Sequence, residues 1–168
     1  MPFEPKIASM NRRASTKNSA LGKNQQKAWG ALLLAHASVT RRVNQALEAA
    51  GSISIELYDV LLALEDAPDR RMRMSELAAQ VVFSPSGLTR VVDRLEKLGY
   101  VRRERHPNDG RSLFACLTDE GLDARIEAWP IYREALEELW GRHLSDEDAA
   151  TMERALQKVF EECPRRPS

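Results

Sequence analysis

The sequence predicts a mainly α-helical chain with one small β-hairpin, and three observations predict it. Apolar residues recur every three or four positions over most of the chain, the period of a helix face. That period gives way to two extended runs between Tyr100 and Leu117, separated by turn-forming residues. Just before them, two helical stretches are joined by a turn of only two residues, Val82 and Phe83, which is the pattern of a helix-turn-helix. With the hairpin behind it as a wing, the fold class is a winged helix-turn-helix carrying long helices at both ends.

Taken in order, residues 1–22 are polar and basic and are expected to form a flexible tail. Helix follows over about 25–50, with Trp29, Leu32, Leu33, His36, Val39, Val43 and Leu47 on its apolar side and Gly51 as its stop. A second helix runs from about Ser54 to Asp66, with Leu57, Tyr58, Leu61, Leu62 and Leu64 inward. Arg71–Met74 reads as a short strand, and Ser75 as the cap of a helix over Glu76–Val81. Ser84 followed by Pro85 starts the next helix, because proline at the first position gives up an N–H that has no partner there. Leu88, Val91, Leu95 and Leu98 line its inner face, and Gly99 ends it. The strands are read as 100–106 and 111–117 around a Pro107–Gly110 turn, in which Asp109-Gly110 is the hairpin signal. Thr118 caps a long helix interrupted by Pro130, which is expected to bend it, and Ser145 opens the last helix.

At 168 residues, 43% apolar and 30% charged, the chain reads as one soluble domain plus a tail. It has no run of 18 apolar residues, so no membrane span is expected, and no signal-like stretch precedes Leu21, which points to the cytoplasm. Net charge is zero but unevenly placed: +5 over residues 1–30, +3 over 84–117 and −8 over 118–163. One part of such a fold attracts phosphate while another repels it. Cys116 and Cys163 form no CxxC pair, and neither sits in an activating pattern, so redox sensing is not expected. His36, His106 and His143 form no spaced cluster with cysteines or carboxylates, so neither metal nor cofactor is expected. No phosphate-binding glycine loop, nucleophile elbow or HExxH is present, which argues against an enzyme.

The string Met74-Ser-Glu-Leu-Ala, the run from Ser86 to Arg103, Asp109-Gly-Arg111 and Leu117-Thr-Asp-Glu-Gly121 together closely resemble the MarR family of transcription regulators. The resemblance spans about residues 25–163. It implies a family-type domain over 23–163, with a DNA-binding winged helix at about 54–117. The helices at about 25–50 and 119–162 would then interlock two copies into a two-fold dimer on a palindromic DNA site. The residues agree: a winged helix of that size cannot cover the apolar faces carrying Trp29, Trp129, Trp140 and Phe160. Burial against a second copy would stabilise them by roughly 25 cal/mol per Å²; an intramolecular bundle is the alternative.

The second helix of a helix-turn-helix enters the major groove, with its first residues nearest the base edges. The candidates are Ser84, Ser86, Gly87, Thr89, Arg90 and Arg94. Arg90 is the candidate for guanine, whose two acceptors match the guanidinium fork. Ser84 is equally explained as a pure helix cap. In the wing, the resemblance assigns Asp109 to steadying the turn and Arg111 to the minor groove, where negative potential concentrates. Arg102, Arg103 and Arg105 add positive charge, though strand alternation sends some of them away from DNA. The basic tail is either an arm on the DNA backbone or a segment without a dedicated role. The resemblance also implies release by a small aromatic or phenolic effector, for which Trp29, His36, Tyr58, Trp129 and Tyr132 are candidate pocket residues; ordinary core, with His36 a satisfied buried histidine, is the competing explanation. A winged helix used for protein contact is the competing function.

Overall fold

Helix α1 (Lys23–Ala49) stops where glycine lets it stop. Gly51 takes φ +68°, and the amides of Gly51 and Ser52 turn back to donate to the carbonyls of Glu48 and Leu47 at 3.0 and 2.9 Å. The structure, a computed structural model, describes residues 21–81, 83, 85–106 and 109–162. Two compact units make up the chain, Met1–Arg41 and Arg42–Ser168, with α1 contributing to both. In the first unit the described residues are helical from Lys23, and Trp29, Leu33, Leu34 and His36 are exposed. His36 was expected to be buried; it falls instead on the exposed stripe of Trp29 and Leu33, seven and three residues before it.

The second unit is built on α2 (Ile55–Glu65), α3 (Met74–Gln80) and α4 (Pro85–Lys97). Asn44 of α1 fixes the entry to α2, its Oδ1 accepting from the Ile55 amide at 3.0 Å. Leu57, Val60, Leu61 and Leu64 then pack on Leu77 of α3, on Val81 just after it, and on Leu88, Val91, Val92 and Leu95 of α4. Val101, Ala115 and Leu117 close this core from the sheet. The sheet has strand order β1-β3-β2, all antiparallel, from β1 (Arg71–Arg73), β2 (Val101–His106) and β3 (Asp109–Leu117). Helices α5 (Asp119–Leu139), which runs unbroken through Pro130, and α6 (Asp146–Glu162) complete the chain. No helix among the described residues is long and apolar enough to cross a membrane.

Three local expectations are corrected. Helix α3 begins one residue before Ser75: Arg73 is its cap, and the Glu76 carboxylate reaches back to accept from the Arg73 amide at 3.2 Å. Pairing of Arg73 with Phe114 ends β1 at that point, so the sheet rather than the serine sets the start. The second strand of the hairpin starts two residues earlier than expected. His106 pairs with Asp109, so Asp109 and Gly110 are strand residues and the connection is residues 107–108, outside the described ones. Leu98 is exposed, because α4 has already ended at Lys97 and the chain is rising into the Gly99 turn. The expected terminator of α6, Pro164, lies outside the described residues.

Two caps follow the sequence closely. Ser145 and Asp148 bond reciprocally at the start of α6, the Asp148 amide to Ser145 Oγ at 3.2 Å and the Ser145 amide to Asp148 Oδ2 at 3.3 Å. Thr118 Oγ accepts from the Gly121 amide at 3.1 Å at the start of α5 and also donates to the Gly99 carbonyl at 2.7 Å. That one hydroxyl therefore joins the end of α4 to the beginning of α5.

Candidate nucleic-acid interface

Helix α4 buries one face and presents the opposite one. Leu88, Val91, Val92 and Leu95 are all buried, which turns Ser86, Arg90 and Lys97 outward, four and seven residues apart along the helix. Thr89 and Arg94 stand exposed on the two shoulders of that outward stripe, and Gly87 is half-buried beside it. Pro85 is the first residue of α4, so the outward stripe starts in the first turn, where unpaired amides add positive potential. Ser84 lies outside the described residues. Asp109 and Arg111 are placed as residues of β3 near the hairpin tip; their side chains lie outside the described ones.

The three wing arginines separate as strand alternation requires. Arg102 points to the outer face of the sheet, where its Nε donates to Glu104 at 2.7 Å. Arg103 points the other way and bonds two carboxylates of α4, Asp93 and Glu96, each at 2.6 Å. Arg105 is exposed toward the tip. Between α4 and the wing lies a cleft of about 580 Å³, lined by Arg73, Met74, Ser75, Thr89, Asp93, Arg103 and Leu113. The Arg103 bridge was not foreseen. Its signal in the sequence is the pair of acids three residues apart on α4, facing a basic strand.

The expected effector residues fall in two groups. Tyr58 of α2 is buried and stacks on Tyr132 of α5 with ring centroids 4.7 Å apart, and Trp129 lies 6.1 Å from Tyr132. Burial raises the pKa of both tyrosines, so both are neutral phenols at physiological pH. Beside them Arg125 of α5 donates to Glu65 of α2 at 2.6 Å, another contact the sequence did not reveal. Trp129 is 41% exposed, so it is not the core residue it was weighed as. Trp29 and His36 belong to the other unit, where both are exposed. Cys116 is buried, and burial first, then the neighbouring Glu104, pushes its thiol up to about 11. It stays protonated near neutrality and is a poor nucleophile. Cys163 lies outside the described residues.

A model of the MarR family matches residues 53–112, the stretch from the start of α2 to the wing. The chain is 30% identical to Sco3205, a MarR family transcriptional regulator from Streptomyces coelicolor solved in complex with DNA. Their structures superpose with a TM-score of 0.77 over 89% of this chain and 92% of that one. The chain belongs to the MarR family. Among other members, a mutant MarR from Escherichia coli, solved with operator DNA, is 27% identical with a TM-score of 0.69, over 82% of this chain and 96% of that one. The transcriptional repressor MprA of Escherichia coli K12 is 32% identical over 117 residues, 70% of this chain. That alignment spans 65% of MprA's length. As a member of the MarR family, the chain has the mainly helical fold with a three-stranded wing sheet.

Proposed function

We propose that the protein is a cytoplasmic homodimer that binds a palindromic double-stranded DNA site through α4 and the wing. It acts as a repressor released by a small aromatic or phenolic effector, and it performs no chemistry of its own. The observation that carries this is the outward face of α4: Ser86, Thr89, Arg90 and Arg94 exposed together on a helix whose other face is locked in the core. Hydroxyls and guanidinium forks are the groups that read base edges and hold phosphates. Asp109 and Arg111 stand in the hairpin beside it, where an arginine reaches a minor groove.

Dimerisation is supported by apolar side chains that this chain leaves in water. Trp29, Leu33 and Leu34 on α1, Ile126 and Trp129 on α5, and Leu156, Val159 and Phe160 on α6 are all exposed. None of the residues of α6 is buried. A helix with an apolar stripe and nothing buried has its partner elsewhere, and a two-fold copy supplies the same stripes. A dimer lying over a promoter excludes polymerase without any activating surface, which favours repression. The partly exposed Trp129–Tyr132–Tyr58 stack is the surface suited to an aromatic effector.

Selection of the full-length protein on a random duplex library tests this. The enriched sites are expected to contain two inverted half-sites about 34 Å apart, one helical turn. Affinity for them is expected to fall steeply as salt rises, because phosphate contacts release counterions. No enrichment, or a single unrepeated half-site, would overturn the proposal.

A further inference from the structure

We propose that Arg103 is a positioning residue for DNA binding: with Asp93 and Glu96 it pins the wing to α4 and so sets where the hairpin tip meets the duplex. The inference rests on the DNA-binding function proposed above and adds the device that fixes the wing.

Among the described residues, Arg103 is the outermost link between the inner face of the hairpin and α4. Cross-strand pairs on the inner face run Val101–Leu117, Arg103–Ala115 and Arg105–Leu113 toward the tip. Val101, Leu117 and Ala115 are buried in the core, whereas Arg105 and Leu113 are exposed. On that face packing ends at the Arg103–Ala115 level; on the other face Phe114, one residue nearer the tip, is held by its pairing with Arg73 of β1. Arg111 stands four residues beyond Ala115, about 13 Å along an extended strand. A small tilt at the pin becomes a larger displacement there.

The pin suits that task. A guanidinium presents a flat, fixed fork of donors, so it bonds both carboxylates in one orientation, which the freely rotating ammonium of a lysine does not impose. Its side chain is only 19% exposed, and both bonds are 2.6 Å long. Asp93 and Glu96 lie on the shoulder of α4 that also carries Thr89, one turn above the residues aimed at DNA. The reading helix and the wing are thereby held as one piece.

Two sets of substitutions break the pin while changing charge in opposite directions. D93N/E96Q removes two negative charges close to the duplex, and R103M removes one positive charge. Simple electrostatics expects the first to bind tighter and the second weaker. The pin expects both to bind the selected duplex weaker, by about tenfold, the size usual for coupled neighbours. In an R111A background, which lacks the side chain that the pin positions, both losses are expected to shrink to about twofold or less. Thermal melting of each variant keeps unfolding apart from misplacement. Tighter or unchanged binding by D93N/E96Q, full losses persisting with R111A, or no effect of R111A itself would each overturn the proposal. Wild-type protein that binds no duplex would instead overturn the DNA-binding function, and this inference with it.

Discussion

Gly121→Ala is expected to lower the melting temperature by roughly 6–12 °C. A Cβ built at position 121 would overlap the carbonyl oxygen of Tyr100 and lie 2.9 Å from its carbonyl carbon and 3.0 Å from Leu117 Cδ1. The obstacle is backbone, so no side-chain rotation relieves it. The Tyr100 carbonyl also accepts the Thr118 amide at 3.1 Å, and Thr118 Oγ holds the Gly99 carbonyl at 2.7 Å. Moving one strand of this joint therefore disturbs the end of α4, the start of α5 and the base of the sheet together. Overpacking of this kind costs about 3 kcal/mol, and in a domain of this size each kcal/mol moves the midpoint by roughly 2–4 °C. Gly141→Ala is the control: there the added methyl meets only Glu137 Cγ at 3.8 Å. Its midpoint is expected to stay within about 2 °C. Equal midpoints for the two variants would show that α5 does not press on Tyr100.

Arg90→Ala is expected to erase most base discrimination, whereas Arg111→Ala weakens binding to every duplex with the sequence profile intact. A bidentate arginine–guanine pair contributes about 1–3 kcal/mol of discrimination. A homodimer makes it twice, so preference for the selected site over one with both guanines replaced is expected to fall at least about 30-fold. Arg90 is exposed on the centre of the outward stripe of α4, while Arg111 belongs to the hairpin, for which the proposed role is reading groove shape rather than base edges. Repeating the library selection with each variant separates the two roles. A profile for Arg90→Ala identical to wild type would remove Arg90 from the reading face.

Much of this architecture is local chemistry and so is legible in the residues. Gly51 and Gly99 end their helices with positive φ, Thr118 and Ser145 cap theirs, and Pro85 opens α4. The run Leu117-Thr-Asp-Glu-Gly121 carries an entire joint: a cap, a cross-link to α4 and a position too tight for any side chain. What escaped the sequence was decided by contacts between elements. Ser75 has the chemistry of a cap, yet β1 pairs with β3 up to Arg73 and the helix starts there instead. Asp109-Gly110 has the chemistry of a turn, yet the register of β2 on β3 draws both residues into the strand. Alternation told that Arg102 and Arg103 diverge, but not that the inner one would meet two acids on α4. Likewise nothing local distinguishes Tyr58, which the core takes in, from Trp129, which it leaves partly in water.

The central claim is that two copies hold their α4 helices for consecutive turns of one duplex, and sedimentation of the full-length protein with and without the selected palindrome tests it most directly. The expected result is a species of twice the 19.0 kDa chain in the absence of DNA, and two chains on each duplex in its presence. A single chain in solution that binds each half-site independently would contradict it.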